Sequence, residues 1–484
     1  MTPSPSVGSA LPLLAAQREI WFAEQQCATP NRVYHTGEYL VIDGPVDPVV
    51  FEAALRQVIG EVEAVHVRFV ETDDGPRQVL EPTHQWAMPM IDVSDDPDPT
   101  VAAHAWMTAD LSRPMDLARG PLFRYALIKL GPERFVWYQG YHHIVMDGYG
   151  CSLVAQRMAQ VYTALATGQP RPEDTFGSLR DLLDSERAYR ESEQFTQDQA
   201  YWVKRFADLP EPTRLVPRSS TTPEHLIQQI TRLSPASMDE LAASARRDRM
   251  PWFCIVIAAI GLYVHRVTGA RDEILGFPVT ARHGRLLKQT PGMVSNVLPL
   301  RLSLRPDMTL SELITHVAEQ VCEVVRHQRY SGEDMHRDLG LSGTITTSFA
   351  PLINIASFDY DLHFAGYRVT AHNLSFGMVD DLSIVVWDRQ DCRTPQSGWY
   401  AHPQVCTAEE ITAHHHRFLT LLDTLPTTNP DIPISRIDLI SPDERARLLV
   451  DHHDPTHPIH HPPPYTAWPM LFQTQAAATP DAVG

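Results

Sequence analysis

Residues 122–129 alternate apolar and polar side chains as a strand does, Gly131 and Pro132 interrupt the alternation, and residues 134–141 resume it with aromatics. After Gly150 the period lengthens. Val154, Met158, Val161 and Leu165 recur at helical spacing until Gly168-Gln169-Pro170 stops the run. The stretch between, YHHIVMDGYG at 141–150, is therefore predicted to be a strand-to-helix loop, where side chains can face a cleft.

Farther along, Ser237 with Glu240 and Thr309 with Glu312 have the spacing of capping boxes, and Pro251 suits a first helical position. Residues 176–206 are polar and charged, which predicts a long surface helix joining two lobes. Strands are expected at 274–278, 294–304, 352–355 and 382–387, separated by helical segments. Strands and helices thus mix in both halves, an α/β chain of the α+β kind. From about Ser441 the pattern gives way to DHHDPTHPIHHPPP, a linker by composition, and then to the amphipathic TAWPMLFQTQAAATPDAVG.

With 484 residues and 43% hydrophobic content the chain can bury a large core, and its length suggests two lobes or more. No basic stretch leads into an apolar one at the start, and the longest apolar run, 252–264, is too short to cross a bilayer. The expectation is a cytoplasmic protein without a membrane anchor. Six scattered cysteines with no CxxC pair predict reduced thiols. A formal charge of -19 argues against a nucleic-acid partner.

Taken by themselves, the paired histidines have three readings. His142 and His143 are structural, bonded to backbone; or one of them ligates a metal with Asp147, although no third ligand follows at a recognisable spacing. The third is acyl transfer: an imidazole beside the attacking nucleophile, an aspartate holding the loop from behind, a glycine permitting a tight turn. The other histidine groups, His414 to His416 and the tail set (His452, His453, His457, His460, His461), have no metal-ligand spacing. No metal is expected there.

HHIVMDG matches the HHxxxDG signature of nonribosomal peptide synthetase condensation domains, relatives of chloramphenicol acetyltransferase. Further blocks resembling that family follow in order: LPLLAAQREIWFAEQ at 11–25, YW at 201–202, GMVSNVLPLRL at 292–302, RHQRY at 326–330 and PLINIASFDY at 351–360. The first and the last two look most like the condensation domain of the serine-activating enterobactin synthetase module. The resemblance implies two chloramphenicol acetyltransferase-like lobes in a V-shaped pseudo-dimer with a tunnel between them, residues 1–178 and 179–445. Residues 446–484 would be a linker and, in QAAATPDAVG, the truncated start of an adenylation domain.

It further implies that His143 is catalytic and His142 structural, that Asp147 faces away from the tunnel and locks the loop, and that Gly148 leaves room for a pantetheine arm. The domain would bind no cofactor itself. Phosphopantetheine thioesters would arrive on donor and acceptor carrier proteins, the protein being a monomer. One departure stands out. The family's LRTxF block, whose arginine pairs with the signature aspartate, reads VHVRF at 65–69, so His66 stands in the arginine's place; either it pairs with Asp147 more weakly, or Arg68, two residues on and on the same strand face, substitutes, or Arg68 is exposed and has no role. Asn296 and Asn354, in apolar strands, are either satisfied core amides or tunnel residues across from His143; Arg282 is expected on the tunnel floor. Asp380 and Asp381 are expected to sit in a solvated turn before the strand that crosses between lobes.

Three functions stay in view: amide formation between carrier-bound thioesters; another activity of the same fold, epimerisation or coenzyme A-dependent acyl transfer; and a catalytically silent platform recruiting carriers or oxygenases. Silent domains typically lose the second histidine, and His143 is intact. If Met1 is the natural start, no carrier precedes the domain, and the donor arrives in trans, as for a starter-type domain taking an aryl, fatty acyl or short peptidyl group.

Overall fold

The computed structural model describes residues 8, 10–26, 34–81, 86–208, 213–215, 226–341, 349–377, 379, 381–391 and 394–451. The first half runs β1 (Ala10–Pro12), α1 (Ala15–Gln26), β2 (His35–Asp43), α2 (Pro48–Gly60), β3 (Val67–Thr72), β4 (Gly75–Leu80), β5 (Met90–Asp92), α3 (Pro99–Leu111), β6 (Phe123–Gly131), β7 (Arg134–His142) and α4 (Gly148–Ala166). Two helices follow, α5 (Leu179–Arg190) and α6 (Glu193–Arg205), where the sequence predicted one. Ser192 ends the first run by capping the second, its side chain accepting from Phe195 N. Leu182 and Leu183 of α5 pack into the first half's core, while Trp202 of α6 packs into the second's.

The second half comprises β8 (Ile227–Arg232), α7 (Pro235–Asp248), α8 (Trp252–Thr268), β9 (Asp272–Val279), α9 (Gly284–Leu287), β10 (Asn296–Ser303), α10 (Leu310–Arg326), α11 (Gly332–Leu339), β11 (Leu352–Ser357), β12 (His363–Phe364), β13 (Tyr367–Phe376), β14 (Leu382–Asp388), β15 (Gln396–Ala401) and α12 (Ala408–Thr424). One six-stranded sheet has the order β12-β13-β2-β7-β6-β5, the other β10-β9-β11-β14-β15-β8, and β1-β4-β3 form a small third.

The first sheet is completed by the second half: β13 runs antiparallel to β2, with Val369 opposite Ile42 and Phe376 opposite Thr36. This is the crossing strand. The segment after Asp381 is β14, which lies inside the second sheet between β11 and β15, and Asp381 is buried rather than solvated. The sequence expectation is corrected on both points; Asp380 lies outside the described residues. β7 is covered on both faces, by the core that holds Trp137 and Phe51 and by the one that holds Tyr138 and Met107, so its aromatics face inward on either side.

The caps follow local chemistry. Thr309 and Glu312 make both bonds of a capping box. The other expected box is corrected: Ser234 caps α7 ahead of Pro235, and Ser237, already helical, bonds Asp423 at 2.5 Å. Pro251 is the cap of α8 rather than its first helical residue. Among the described residues no single helix is long and apolar enough to cross a membrane; α8, apolar all round, is buried from Cys254 to His265. His415 of α12 is buried against Ser397, and His414 bonds Tyr263. Residues 1–439 make one compact unit, and 440–484 a second that holds α13 (Pro442–Asp451). The tail histidines and the adenylation-like stretch lie outside the described residues.

Candidate active site

The antiparallel register of β2 and β7 sets His35 opposite His142, and His143 N donates to the Tyr34 carbonyl at 2.7 Å. The loop thus leaves the strand while still tied to its neighbour. From behind, Gln17 of α1 donates to the Ile144 carbonyl at 3.3 Å. His142 is fully buried, edge-on to His35 at 5.6 Å. Ile144 N donates to its Nδ1 at 3.2 Å, which places the ring proton on Nε2, facing Glu24 Oε1 at 3.3 Å. Burial holds its pKa below the ordinary histidine value, against the pull of Glu24.

His143 has the opposite tautomer. Its Nδ1 lies 2.9 Å from the Met146 carbonyl, and a carbonyl only accepts, so Nδ1 carries the proton and Nε2 keeps its lone pair. Burial lowers its pKa as well, with the Asp147 charge opposing, and the ring stays neutral near pH 7. Unlike His142, it lines a cavity of about 450 Å³ whose walls come from both halves.

Asp147 caps α4 through Gly150 N at 2.8 Å. Its other partners belong to the second half: Arg282 Nη1 and Nη2 at 2.7 and 3.1 Å, Val294 N and Ser295 N at 3.0 Å each. Burial alone would raise the Asp147 carboxyl; Arg282 and these donors hold it below the usual carboxylate range. Arg282 is therefore no tunnel-floor residue but the aspartate's enclosed counter-ion, its side chain at 0% exposure. It also stacks 4.8 Å over the Tyr149 ring, and the Tyr149 hydroxyl donates to the Lys288 carbonyl at 3.0 Å, a second tie between the halves.

The expected pairing of Asp147 with His66 or Arg68 is corrected. His66 Nε2 lies 2.8 Å from the Ile59 carbonyl, and Arg68, on β3 of the small sheet, pairs with Glu81 at 2.5 Å. In place of the family arginine, Arg282 and two backbone amides of the second half bond the carboxylate. The two asparagines part company. Asn296 donates to the Gln328 and Tyr330 carbonyls and accepts from Gly332 N, the satisfied core amide, whereas Asn354 lines the cavity with His143. Gly148 also lines it; a methyl group there would stand 3.2 Å from Phe358 Cε2.

Sequence reasoning did not single out a polar group in the same cavity. Glu38 accepts from Tyr360 OH at 2.8 and 2.7 Å, from Gln139 Nε2 at 2.5 Å and from Arg389 Nη1 at 3.4 Å. Tyr360 stood inside a quoted block, but no spacing relates it to residues some three hundred positions away.

A condensation-domain family model matches residues 8–449. The dimodular nonribosomal peptide synthase of Bacillus subtilis is 44% identical over 90% of this chain and 18% of that protein. The isonitrile lipopeptide synthase of Streptomyces coeruleorubidus is 40% identical over 85% of this chain and 28% of that protein; for enterobactin synthase component F of Escherichia coli the figures are 29%, 98% and 36%. The chain thus spans only a minor part, 18% to 36%, of these curated relatives. Among solved structures, the starter condensation domain of rhizomide synthetase in complex with C8-CoA matches with a TM-score of 0.83 and 42% identity, covering 89% of this chain and 98% of that one. The first condensation domain of the calcium-dependent antibiotic synthetase, with a substrate analogue, matches with a TM-score of 0.82 and 32% identity over 90% of this chain and all of that one.

Proposed function

The chain belongs to the condensation-domain family of nonribosomal peptide synthetases, with the chloramphenicol acetyltransferase-like two-lobe fold, and we propose that His143 is the residue through which it catalyses amide formation. Domains of this family are amide-forming acyltransferases, and the condensation reading of the chain stands over epimerisation and over silent recruitment. The observation that carries the assignment to His143 is its tautomer: a neutral imidazole with Nε2 unprotonated, lining a cavity shared by both halves.

In the proposed step the acceptor amine attacks the carbonyl carbon of the donor thioester. A C–N bond forms, the C–S bond breaks, the nitrogen gives one proton to His143 Nε2, and that proton passes to the departing thiolate. His143 serves by accepting a hydrogen bond from the amine and then its proton. Asp147 acts through the loop, holding the ring's position rather than touching substrate, and Gly148 keeps the approach beside it clear. Asn354 faces the same space and is proposed as a contact for the pantetheine arm, while Asn296 is assigned to structure only.

For the full synthetase, donor and acceptor carrier proteins presenting phosphopantetheine thioesters are the proposed partners, a downstream adenylation domain the proposed neighbour, and the cytoplasm the proposed setting of a monomer. The domain boundaries, 1–178, 179–445 and 446–484, belong to the same proposal. The donor is proposed to be an aryl, fatty acyl or short peptidyl group delivered in trans, supported by the likeness to a starter condensation domain. That relative's complex with C8-CoA makes coenzyme A thioesters a second donor form to test. The experiment offers the protein an aminoacyl carrier as acceptor with hydroxybenzoyl, fatty acyl and aminoacyl donors in competition, read by intact-protein mass spectrometry. Exclusive use of the aminoacyl donor would sink the starter reading. No amide with any donor would sink the function.

A further inference from the structure

The Glu38 cluster is built beyond what holding the fold requires. Glu38 is on β2 of the first half; Tyr360 and Arg389 come from the second. Tyr360 is 1% exposed and gives its hydroxyl wholly to Glu38, whose oxygens also take Gln139. Gln139 is held in turn by Tyr141 at 3.0 Å and Tyr141 by Tyr125 at 2.9 Å. Arg389 is different. Its side chain is 10% exposed and lines the cavity, with its guanidinium stacked 4.7 Å over the Tyr360 ring. Among the described residues the one hydrogen bond that the guanidinium makes is the long one to Glu38 at 3.4 Å. A guanidinium carries five N–H donors in a rigid fork, so most of this one is unspent.

The position of the cluster relates it to the reaction. Gly148 and Cys151 both line the cavity from the first turn of α4, three residues apart, which is about 4.5 Å along a helix. Along the paired strands β2 and β7, Glu38 stands opposite Gln139, four residues before His143. The polar cluster and the catalytic loop therefore open onto one and the same cavity.

We propose that Arg389, oriented by Glu38 and Tyr360, is a specificity-determining residue that reads a hydroxyl on an uncharged donor acyl group. The inference rests on the reading that this cavity holds the donor. A hydroxyl, rather than a carboxylate, fits the charge: Arg389 and Glu38 already form a neutral pair, and a second anion would leave a net charge buried. A plain hydrocarbon or unsubstituted ring would strand the guanidinium's donors without water, and polar sites reject analogues that lack the expected group. Two donor types carry such a hydroxyl, a β-hydroxy fatty acyl chain and a hydroxylated aryl ring, and the test separates them.

The test compares kcat/KM for matched donors on one carrier, β-hydroxyoctanoyl against octanoyl and hydroxybenzoyl against benzoyl, with a single aminoacyl acceptor. The wild type is expected to prefer the hydroxylated member of one pair by about tenfold or more, and Arg389→Met to shrink that ratio to within about twofold. Which pair shows the preference names the donor type. Arg389→Lys, which keeps the charge and loses the fork, and Glu38→Gln are measured alongside, with melting temperatures; if Arg389→Met does not fold, the Lys variant decides on the same ratio. A wild type indifferent in both pairs, or a folded Arg389 variant with the ratio unchanged, overturns the proposal. Amide formation from the plain donors would then leave the condensation function standing.

Discussion

Arg282, from the second half of the chain, donates to both carboxylate oxygens of Asp147, from the first, and neither side chain is more than 2% exposed. The loop that carries His143 is thereby fastened to the opposite half. Asp147→Ala would leave a guanidinium and the Val294 and Ser295 amides without their acceptor, and breaking a buried pair from one side costs about 3 to 5 kcal/mol. Thermal melting should show a clear loss. An unchanged melting temperature with lost activity would mean that Asp147 acts on the substrate directly.

His143→Ala should lower the rate of amide formation by about 10² to 10⁴, the usual worth of a positioned acid–base group. The fold should survive, because among the described residues the ring makes one hydrogen bond. A loss near the lower limit points to positioning of the amine, one near the upper limit to proton transfer. Full wild-type turnover with a natural acceptor would refute the assignment.

Gly148→Ala tests the approach to the reaction centre. The added methyl would sit 3.2 Å from Phe358 Cε2, so the ring must yield by a few tenths of an ångström or the channel narrows. Slower transfer with little change in melting temperature is expected. Phe358→Leu in the same chain should restore part of the rate. A double variant no faster than Gly148→Ala alone would show that the glycine matters for its backbone rather than its bareness.

The strand–loop–helix around the histidines was legible because β7 and α4 announce themselves by period, and Asp147 doubles as a helix cap, a local role a sequence can show. Contacts between distant segments were not. The partner of Asp147 was sought at His66 or Arg68 because VHVRF resembles the family's LRTxF block, while Arg282 stands 135 residues downstream. The crossing strand was displaced for a related reason: β14 was expected as a strand and β13 was not, and it is pairing across the two halves that shows β13 to be the one that joins the first sheet. Glu38 and Arg389 look like ordinary charges in the sequence; burial beside the cavity makes them informative.

Two buried groups predict how stability varies with pH, with opposite signs. Burial, then the neighbouring His142, brings His35 down to about 4, so between its unfolded value near 6.5 and about 4 the unfolded chain binds the extra proton. The stability it protects is complete above pH 6.5 and is lost as pH falls to 4, roughly 3 kcal/mol at about 1.4 kcal/mol per unit. Glu273 works the other way. Its carboxyl is 0% exposed in the second half's core, neither oxygen has a hydrogen-bond partner among the described residues, and burial raises its pKa well above 4.5. The unfolded chain releases this proton first, so the cost is absent below pH 4.5 and grows as pH rises toward the folded value. Glu273→Met, similar in volume and apolar, should therefore raise the urea midpoint at about pH 8, with the gain shrinking toward about pH 4.5. A gain of equal size at every pH would indicate better packing alone. No gain at about pH 8 would mean that the carboxylate is accommodated in its ionised form.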